Sequence, residues 1–360
     1  MRALIVEDGW QRGSLAATRA LGRAGWEVGI GAPRRGFAAA SRFAGAWHEV
    51  PAPEEDEKAF VAAVREAVEA RGYELIFGAG DGEVLALSAG RDELGGLFPY
   101  GPHEDVVRAF DKVALAEAGV RAGLAVPGHG DAPVVVKPRH TTVRGPSGDP
   151  LRLRAVLAET VEDATAHVAY LEQVGAEPLV QRYVEGNLVA YMAVTNRESR
   201  VVAEVQQRAS VVWPERSGGS VRAETVPVDA DLAERVAALL ADLNWFGIAQ
   251  VQFQQPAGGE PVLIDLNGRF YGSLALAVAA GVDLPAIWAA LAIGRTVLPA
   301  APARVGVRYH SLEPDLRRRS VSSLRYAVGA AHGLWDARDP RPGAQHAGRL
   351  ARRALRRLRP

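Results

Sequence analysis

The residues best suited to chemistry lie in 247–273, GIAQVQFQQPAGGEPVLIDLNGRFYGS. This stretch reads as two strands, 248–254 and 261–267, joined by the turn Pro256-Ala257-Gly258-Gly259, whose residues supply fixed or positive φ. Side chains alternate along a strand, so Asp265 and Asn267 share a face, and hairpin pairing can bring Gln252 to that face too. One carboxylate and two amide oxygens converging there form a hard oxygen set suited to Mg²⁺, with Mn²⁺ as an alternative. Arg269, one strand step past Asn267, is a planar donor for an anion. An Asp and an Asn at a strand end serve more often as turn residues than as metal ligands, and the residues alone leave both readings open.

Composition narrows the classes around this hairpin. A chain of 360 residues can form two or three domains with proper cores. Lysine plus arginine, 42, balances aspartate plus glutamate, 42, so global charge gives no argument for nucleic acid. The absence of cysteine excludes disulfides, thiolate metal sites and a cysteine nucleophile. No run approaches the ~18 apolar residues of a membrane span. The chain opens on an apolar strand-like segment rather than a signal-peptide layout, and a cytoplasmic location is the expectation. Lys58, Lys112 and Lys137 are the only lysines, so a retained lysine hints at a place where a compact ammonium is needed.

The elements that must position these residues follow from periodicity. Residues 2–6 read as a buried strand, 15–24 as a helix and 26–30 as a second strand, a unit of a parallel sheet that lacks the GxGxxG fingerprint. A helix with acids in its first turn runs from 53 to 70, and a strand covers 74–78. Asp81 follows at the carboxyl end of that strand, where open α/β sheets take ligands and where helix caps also stand. A helix or a helix pair is expected over 102–119. A β-branched strand, 134–137, ends in Lys137-Pro138 and leads to a loop with Thr141, Thr142, Gly145, Ser147 and Gly148, suited to covering phosphates. A helix at 161–175, a strand at 178–184, an antiparallel pair at 188–195 and 201–208 and a helix at 231–243 follow. A further helix begins after Tyr271. The tail carries twelve arginines beyond Ser311 against Glu313, Asp315, Asp336 and Asp339. Its end reads as a basic amphipathic helix with Leu350, Leu355 and Leu358 on one side, able to touch an anionic membrane or a partner, although a solvated terminal helix is the commoner case.

Taken in order, these segments resemble the ATP-grasp superfamily. Its metal-binding hairpin carries an acidic residue, a gap, then Glu-x-Asn-x-Arg, and the corresponding residues here are Gln252, Asp265, Asn267 and Arg269. Glutamine in the first position also occurs in the carbamoyl-phosphate-synthetase branch, and aspartate shortens the second ligand by one methylene. The resemblance implies a fold of α/β and α+β class. An N-terminal Rossmann-like pre-ATP-grasp domain, 1–100, would precede a two-lobed ATP-grasp fold with a small lid lobe, 101–180, and a large lobe carrying the metal site, 181–300. A basic extension, 301–360, would follow.

In that resemblance Lys112 and Lys137 reach nucleotide phosphates, with Thr141 and Ser147 in the lid. Gln181, Arg182, Tyr183 and Val184 form the hinge that reads adenine. The family's ribose-binding Glu is replaced by Leu188, with Glu185 and Asn187 as substitutes. Arg208 and the loop 217–220 approach the triphosphate and substrate, and Arg269 holds the γ-phosphate or an acyl phosphate. Only nine residues separate Pro127 from Lys137, fewer than the family usually has, which implies a trimmed lobe. The activity implied is ATP-dependent ligation. ATP phosphorylates a small-molecule carboxylate, an amine attacks the acyl phosphate, and ADP and phosphate leave, with Mg²⁺ required. A phosphotransferase on the same fold and a nucleotide-binding regulatory protein without turnover are the alternatives. A homodimer is one assembly that this implies.

Overall fold

The computed structural model describes residues 1–94, 98–144, 150–318 and 322–357. The N-terminal unit alternates strand and helix: β1 (Arg2–Val6), α1 (Arg12–Arg23), β2 (Glu27–Ala32), β3 (Ala44–Glu49), α2 (Glu57–Arg71), β4 (Leu75–Gly78) and α3 (Asp81–Ala89). All four strands are parallel, in the order β3-β2-β1-β4. The chain therefore builds outward from β1 in one direction and then returns to β1's other side, which makes the β1/β4 junction the topological switch point. The sequence pattern finds β1, β2 and β4, which are buried along their length, but not β3, a half-exposed edge strand containing Gly45 and Ala46.

The expected helix over 102–119 is a pair, α4 (His103–Phe110) and α5 (Lys112–Arg121). A small lobe follows: β5 (Val134–Pro138), β6 (Thr142–Arg144), β7 (Pro150–Arg152), β8 (Val156–Ala158), α6 (Val161–Gln173) and β9 (Pro178–Arg182). Its antiparallel sheet, β8-β5-β9, has a core of its own built from Val134, Val136, Ala158, Leu171 and Ala176. Strands β6 and β7 form a separate hairpin. The large lobe contains β10 (Asn187–Thr195), β11 (Val201–Trp213), β12 (Gly219–Val226), α7 (Ala230–Asp242), β13 (Gly247–Gln255), β14 (Val262–Asn267), α8 (Leu274–Ala279) and α9 (Leu284–Ala292). Then come β15 (Arg308–His310), α10 (Leu312–Arg317), α11 (Ser322–Ala327), β16 (Ala331–His332) and α12 (Arg341–Arg357). The fold class is α/β and α+β, as expected. The boundary expected at residue 300 is not an edge of the structure, because β15 and β16 complete the large sheet, β14-β13-β10-β11-β12-β15-β16.

One continuous core joins the N-terminal unit to the large lobe. At its centre Phe77 of β4 meets Trp288 of α9 at 4.6 Å and Phe270, just beyond β14, at 5.4 Å between ring centroids. Aromatic side chains bury large areas, and edge-on pairs add about 0.5–1.5 kcal/mol each. A side chain on Gly13, at the start of α1, would overlap the Phe270 carbonyl, so only glycine lets α1 come this close.

The C-terminal segment is tied into the fold. Asp339 is fully buried and accepts hydrogen bonds from Arg19 Nε at 2.8 Å, Ser41 Oγ at 2.7 Å and the Arg42 N–H at 2.9 Å. Helix α12 docks through Pro342, Gly343 and His346, with His346 against Phe37 and the Arg349 guanidinium 4.0 Å over Trp10. The face expected to be apolar is not the one that docks: Leu350 is exposed. Leu358 and the side chain of Leu355 lie outside the described residues. No described helix is long and apolar enough to cross a membrane.

Leaving a buried guanidinium unpaired costs about 3–5 kcal/mol, whereas a partly exposed pair is worth at most about 1 kcal/mol. Asp339→Ala is therefore expected to lower unfolding free energy several-fold more than Asp336→Ala, which removes the more exposed pair with Arg23. Urea titrations of the two variants check this, and equal losses would remove Asp339 from its anchoring role.

Candidate functional site

The hairpin forms with the register that convergence requires. Gln252 lies opposite Asp265, and Gln250 lies opposite Asn267. Cross-strand partners share a face, so all four side chains line up on one side of the sheet. Gln250, not singled out in the sequence, organises the group. Its Oε1 accepts from Gln252 Nε2 at 3.1 Å and Asn267 Nδ2 at 3.4 Å, while its own Nε2 donates to Ser273 Oγ at 3.2 Å. With both amide nitrogens turned to Gln250, the oxygens of Gln252 and Asn267 are the ends left for a ligand. Asp265 lines the cleft, and burial raises its pKa against the opposing charges of Lys112 and Lys137.

The two lysines arrive from different elements, Lys137 from β5 of the small lobe and Lys112 from the start of α5. Lys137 is buried and donates from Nζ to the Ile264 carbonyl of β14 at 3.0 Å, which locks β5 against the hairpin. Burial pushes its pKa down to about 8; Asp265 opposes this shift and the charge of Lys112 adds to it. Lys112 opens α5 and donates to Thr141 Oγ1 at 3.2 Å. The preceding residue, Asp111, caps α5 by accepting from the Val113 and Ala114 N–H groups, and its carboxylate is gripped by the Arg139 guanidinium at 2.6–2.9 Å. Arg139 stands two residues after Lys137, so this pair sets the spacing of the lysines. The sequence hinted at it only through the Asp-Lys and Lys-Pro-Arg runs. Of the lid residues, Thr141 is described, while Gly145, Ser147 and Gly148 lie outside the described residues.

A cleft of about 900 Å³ between the lobes collects most of the expected residues: Lys112, Lys137, Gln181, Arg182, Tyr183, Val184, Gln252 and Asp265 all line it. At the hinge the Arg182 N–H donates to the Gly128 carbonyl at 2.8 Å and the Tyr183 N–H to that of Pro133 at 3.0 Å. Both are taken, which leaves the Val184 N–H as the hinge donor for a ligand. Two lining residues escaped the sequence reading. Arg216 stacks 4.6 Å over the Tyr183 ring and pairs with Glu159, so the loop after β11 clasps the small lobe at the mouth of the cleft. Gln254 shares the alternation of Gln250 and Gln252, lies opposite Leu188, and has its Oε1 buried without a hydrogen-bond partner among the described residues.

Asn267, buried beside Gln250, and Thr141, on the adjoining small cavity, are not part of the cleft's lining, and four further expected residues are placed elsewhere. Glu185 and Asn187 do not line the cleft; Asn187 is exposed at the start of β10. Arg208 lies opposite Val189, one residue out of step with the Ala190–Gln252 pair, so alternation puts it on the other face of the sheet, where it pairs with Glu224 at 3.3 Å. Arg269 does not line the cleft either: its Nε donates to Asp81 Oδ1 at 2.7 Å, and both side chains are largely buried. Burial works to raise the Asp81 pKa, but the Arg269 charge and hydrogen bond prevail and lower it. Asp81 is thus neither helix cap nor free ligand; it is the first residue of α3 and the anchor of Arg269.

Beyond the cleft the open space continues. Lys112 and Asp265 also line a small cavity with Asp81, Leu85, Thr141 and Thr142. Leu85 and Thr142 in turn border a pocket of about 750 Å³ with Glu54, Glu57, Gly82 and His103. Two further carboxyls, Glu7 after β1 and Glu83 in the first turn of α3, are buried and line none of these spaces. Burial raises each pKa to about 8, helped by Asp8 at Glu7 and by Glu54 and Asp8 at Glu83.

A protein-family model described as ATP-grasp in the biosynthetic pathway with Ter operon matches residues 179–314, from the hinge strand to α10. Among solved structures the chain is similar to the biotin carboxylase domain of Hydrogenobacter thermophilus 2-oxoglutarate carboxylase, determined with MgADP, ADP and bicarbonate. The TM-score is 0.65 at 12% identity, over 85% of this chain and 73% of that one. It is also similar to N5-carboxyaminoimidazole synthetase from Staphylococcus aureus complexed with ADP, with a TM-score of 0.64 at 14% identity over 85% and 80% of the chains. L-amino acid ligase from Bacillus licheniformis matches with a TM-score of 0.58 at 14% identity over 81% and 74%. No curated protein matches in sequence. The chain has the ATP-grasp fold.

The buried carboxyls make a pH signature. In the fold Glu7 and Glu83 keep their protons to about pH 8, whereas an ordinary Glu loses its proton near 4.5. Between these values the folded chain binds more protons than the unfolded one. The stability these groups contribute is therefore complete below pH 4.5 and is lost as pH rises through 8, by up to about 1.4 kcal/mol per pH unit for each group. Glu7→Gln or Glu83→Gln is expected to flatten that decline in urea titrations from pH 5 to 8. Parallel slopes in variant and parent would contradict the assignment.

Proposed function

We propose that this ATP-grasp chain is an ATP-dependent ligase that activates a small-molecule carboxylate as an acyl phosphate for attack by an amine. The observation that carries this reading is the convergence in one cleft of Lys112 from α5, Lys137 from the small lobe, the Asp265 carboxylate and the oriented Gln252 amide from the large lobe, and the hinge, with the Asn267 amide oriented on the same face of the hairpin. Adenine would lie at the hinge against the Val184 N–H, with Tyr183 held in place by Arg216. Gln254, rather than Glu185 or Asn187, is the residue suited to a ribose hydroxyl, because its buried Oε1 lacks a hydrogen-bond partner among the described residues.

Lys112 and Lys137, both close enough to Asp265 to act on its charge, would offset phosphate charge. A buried ammonium is a strong partner for an anion because little water competes with it. Mg²⁺, or Mn²⁺ in its place, would be held by Asp265 with Gln252 and Asn267, and would supply neutralisation of the charge that develops during phosphoryl transfer. The residues present fit such an ion, since hard oxygens with a single carboxylate suit a site that shares its ligands with phosphates and water. The substrate carboxylate attacks the γ-phosphorus, ADP departs, and the acyl phosphate is formed. The amine then attacks the acyl carbon and phosphate leaves. Arg269 acts from behind as a positioning residue, through Asp81, which borders the small cavity beside Asp265.

A ligand at a hundredfold excess over its dissociation constant stabilises a fold by about 2.7 kcal/mol. Mg-ATP is expected to do so for the parent chain, and Asp265→Ala combined with Asn267→Ala is expected to abolish the gain. Lys112→Ala and Lys137→Ala should each weaken ATP binding, while Lys58→Ala, on the exposed side of α2, should not. Thermal shifts with and without Mg-ATP read all four. Undiminished stabilisation in the double variant would reject the metal assignment.

Turnover is read as ADP release against pools of carboxylates with and without amino acids. A ligase needs both. Release with one acceptor alone would favour a phosphotransferase, and no release beside intact ATP binding would favour a regulatory protein.

A further inference from the structure

Strands β11 and β12 are joined by the short loop 214–218, which stands at the mouth of the nucleotide cleft. The loop folds back tightly on its own strand end. A side chain on Gly218 would overlap the Trp213 carbonyl, and the Ser217 N–H donates to the Glu215 carbonyl at 2.8 Å. Arg216, at the tip, has a φ of 66°, a left-handed conformation that glycine adopts freely and that costs energy for a residue with a side chain. The contacts of its guanidinium must offset that cost.

Those contacts reach out of the large lobe. Arg216 pairs with Glu159, between β8 and α6 of the small lobe, and its guanidinium lies 4.6 Å over the ring of Tyr183 in the hinge. The neighbouring residue is drawn the other way. Glu215 lies 3.6 Å from Arg318, which in turn lies 3.6 Å from the buried Asp315. The loop is thus braced against the C-terminal segment on one side and holds the small lobe on the other. Arg216, Ser217, Gly218 and Gly219 line the cleft together with Tyr183 and Val184.

The two ends of the cleft are held with different strength. At the phosphate end Lys137 and Asp111 are buried, and their contacts with the Ile264 carbonyl and Arg139 are sheltered from water. At the hinge end Arg216 and Glu159 are each about half exposed. An exposed ion pair and an exposed cation–π contact are both weak, so this bridge breaks and re-forms readily.

We propose that Arg216 is a gate residue of the nucleotide cleft: its bridge to Glu159 and Tyr183 bars the hinge end, breaks to admit or release an adenine nucleotide, and re-forms while the nucleotide is bound. This rests on the nucleotide reading above and gives Arg216 a role in nucleotide exchange rather than in phosphoryl transfer. A gate slows entry and exit alike, so its loss raises both rates and moves the dissociation constant less than either. A residue that only touches the bound base slows exit alone.

The probe is a fluorescent ADP analogue with Mg²⁺, mixed with the full chain in a stopped-flow instrument. Arg216→Ala is expected to raise the association and dissociation rate constants together, each about fivefold, the factor that a weak surface contact supplies. Glu159→Gln is expected to raise both in smaller measure and to add nothing in an Arg216→Ala background, because the two side chains share one contact. Glu159→Gln also serves if Arg216→Ala does not fold. Faster dissociation with unchanged association would make Arg216 an ordinary contact of the base and overturn the gate. Additive effects of the two substitutions would overturn it too. A parent chain that binds no nucleotide would overturn the gate together with the nucleotide reading, whereas bound nucleotide with unaltered rates in Arg216→Ala overturns the gate alone.

Discussion

The seating of Phe270 and Arg269 on the N-terminal sheet is the contact from which the site's geometry follows. Phe270 packs against Phe77 and Trp288, and one residue earlier the Arg269 guanidinium is held by Asp81 at the start of α3. Removing one partner from a buried ion pair costs far more than the intact pair contributes, so such pairs fix registry rather than add much stability. Here the registry fixed is that of β14 against β4. Asp265 and Asn267 are carried by β14, and the switch point lies at the end of β4. The placing of the hairpin end on the N-terminal sheet is thus set by one aromatic cluster and one ion pair.

The hairpin itself is economical in charge. It has one carboxylate where the superfamily pattern has two acids, and amides fill the remaining places. Amides are weaker ligands and must be oriented, because their nitrogen end repels a cation. Gln250 supplies that orientation by accepting from both neighbouring amide nitrogens, and Ser273 holds Gln250 in turn. With fewer negative charges on the large lobe, the two lysines stand close together with only Asp265 between them. Burial and this proximity together hold the Lys137 pKa near 8.

The C-terminal segment gives the arrangement its rigidity from behind. Strands β15 and β16 extend the large sheet, and the chain then crosses to the N-terminal unit, where Asp339 gathers Arg19, Ser41 and the Arg42 backbone. Helix α12 rests on Trp10 and Phe37, next to the loop that follows β1. The N-terminal unit and the large lobe are therefore joined twice, once at the hairpin end and once through the tail. The small lobe has a core of its own.

Much of this was legible in the sequence because it depends on local rules. Alternation puts Asp265 and Asn267 on one face, but regular pairing out of the turn would set Gln252 opposite Ile264; the register shift between Gln252 and Phe253 brings it opposite Asp265, and that irregularity was not legible. The same alternation passes through Gln250 and Gln254, but neither type alone signals chemistry, and only the partners they meet or lack give them roles. Charge pairing was not legible. Arg269 and Arg208 both read as anion donors, yet Asp81 claims the first across 188 residues and the register of β11 turns the second to the other face. The acids at 7, 54 and 83 are scattered in the chain and look like ordinary surface glutamates. Only the fold buries Glu7 and Glu83 and brings Glu54 close enough to raise the Glu83 pKa. Periodicity is written residue by residue, whereas the partner of a charge is decided by which strands lie side by side, and that is a property of the whole fold.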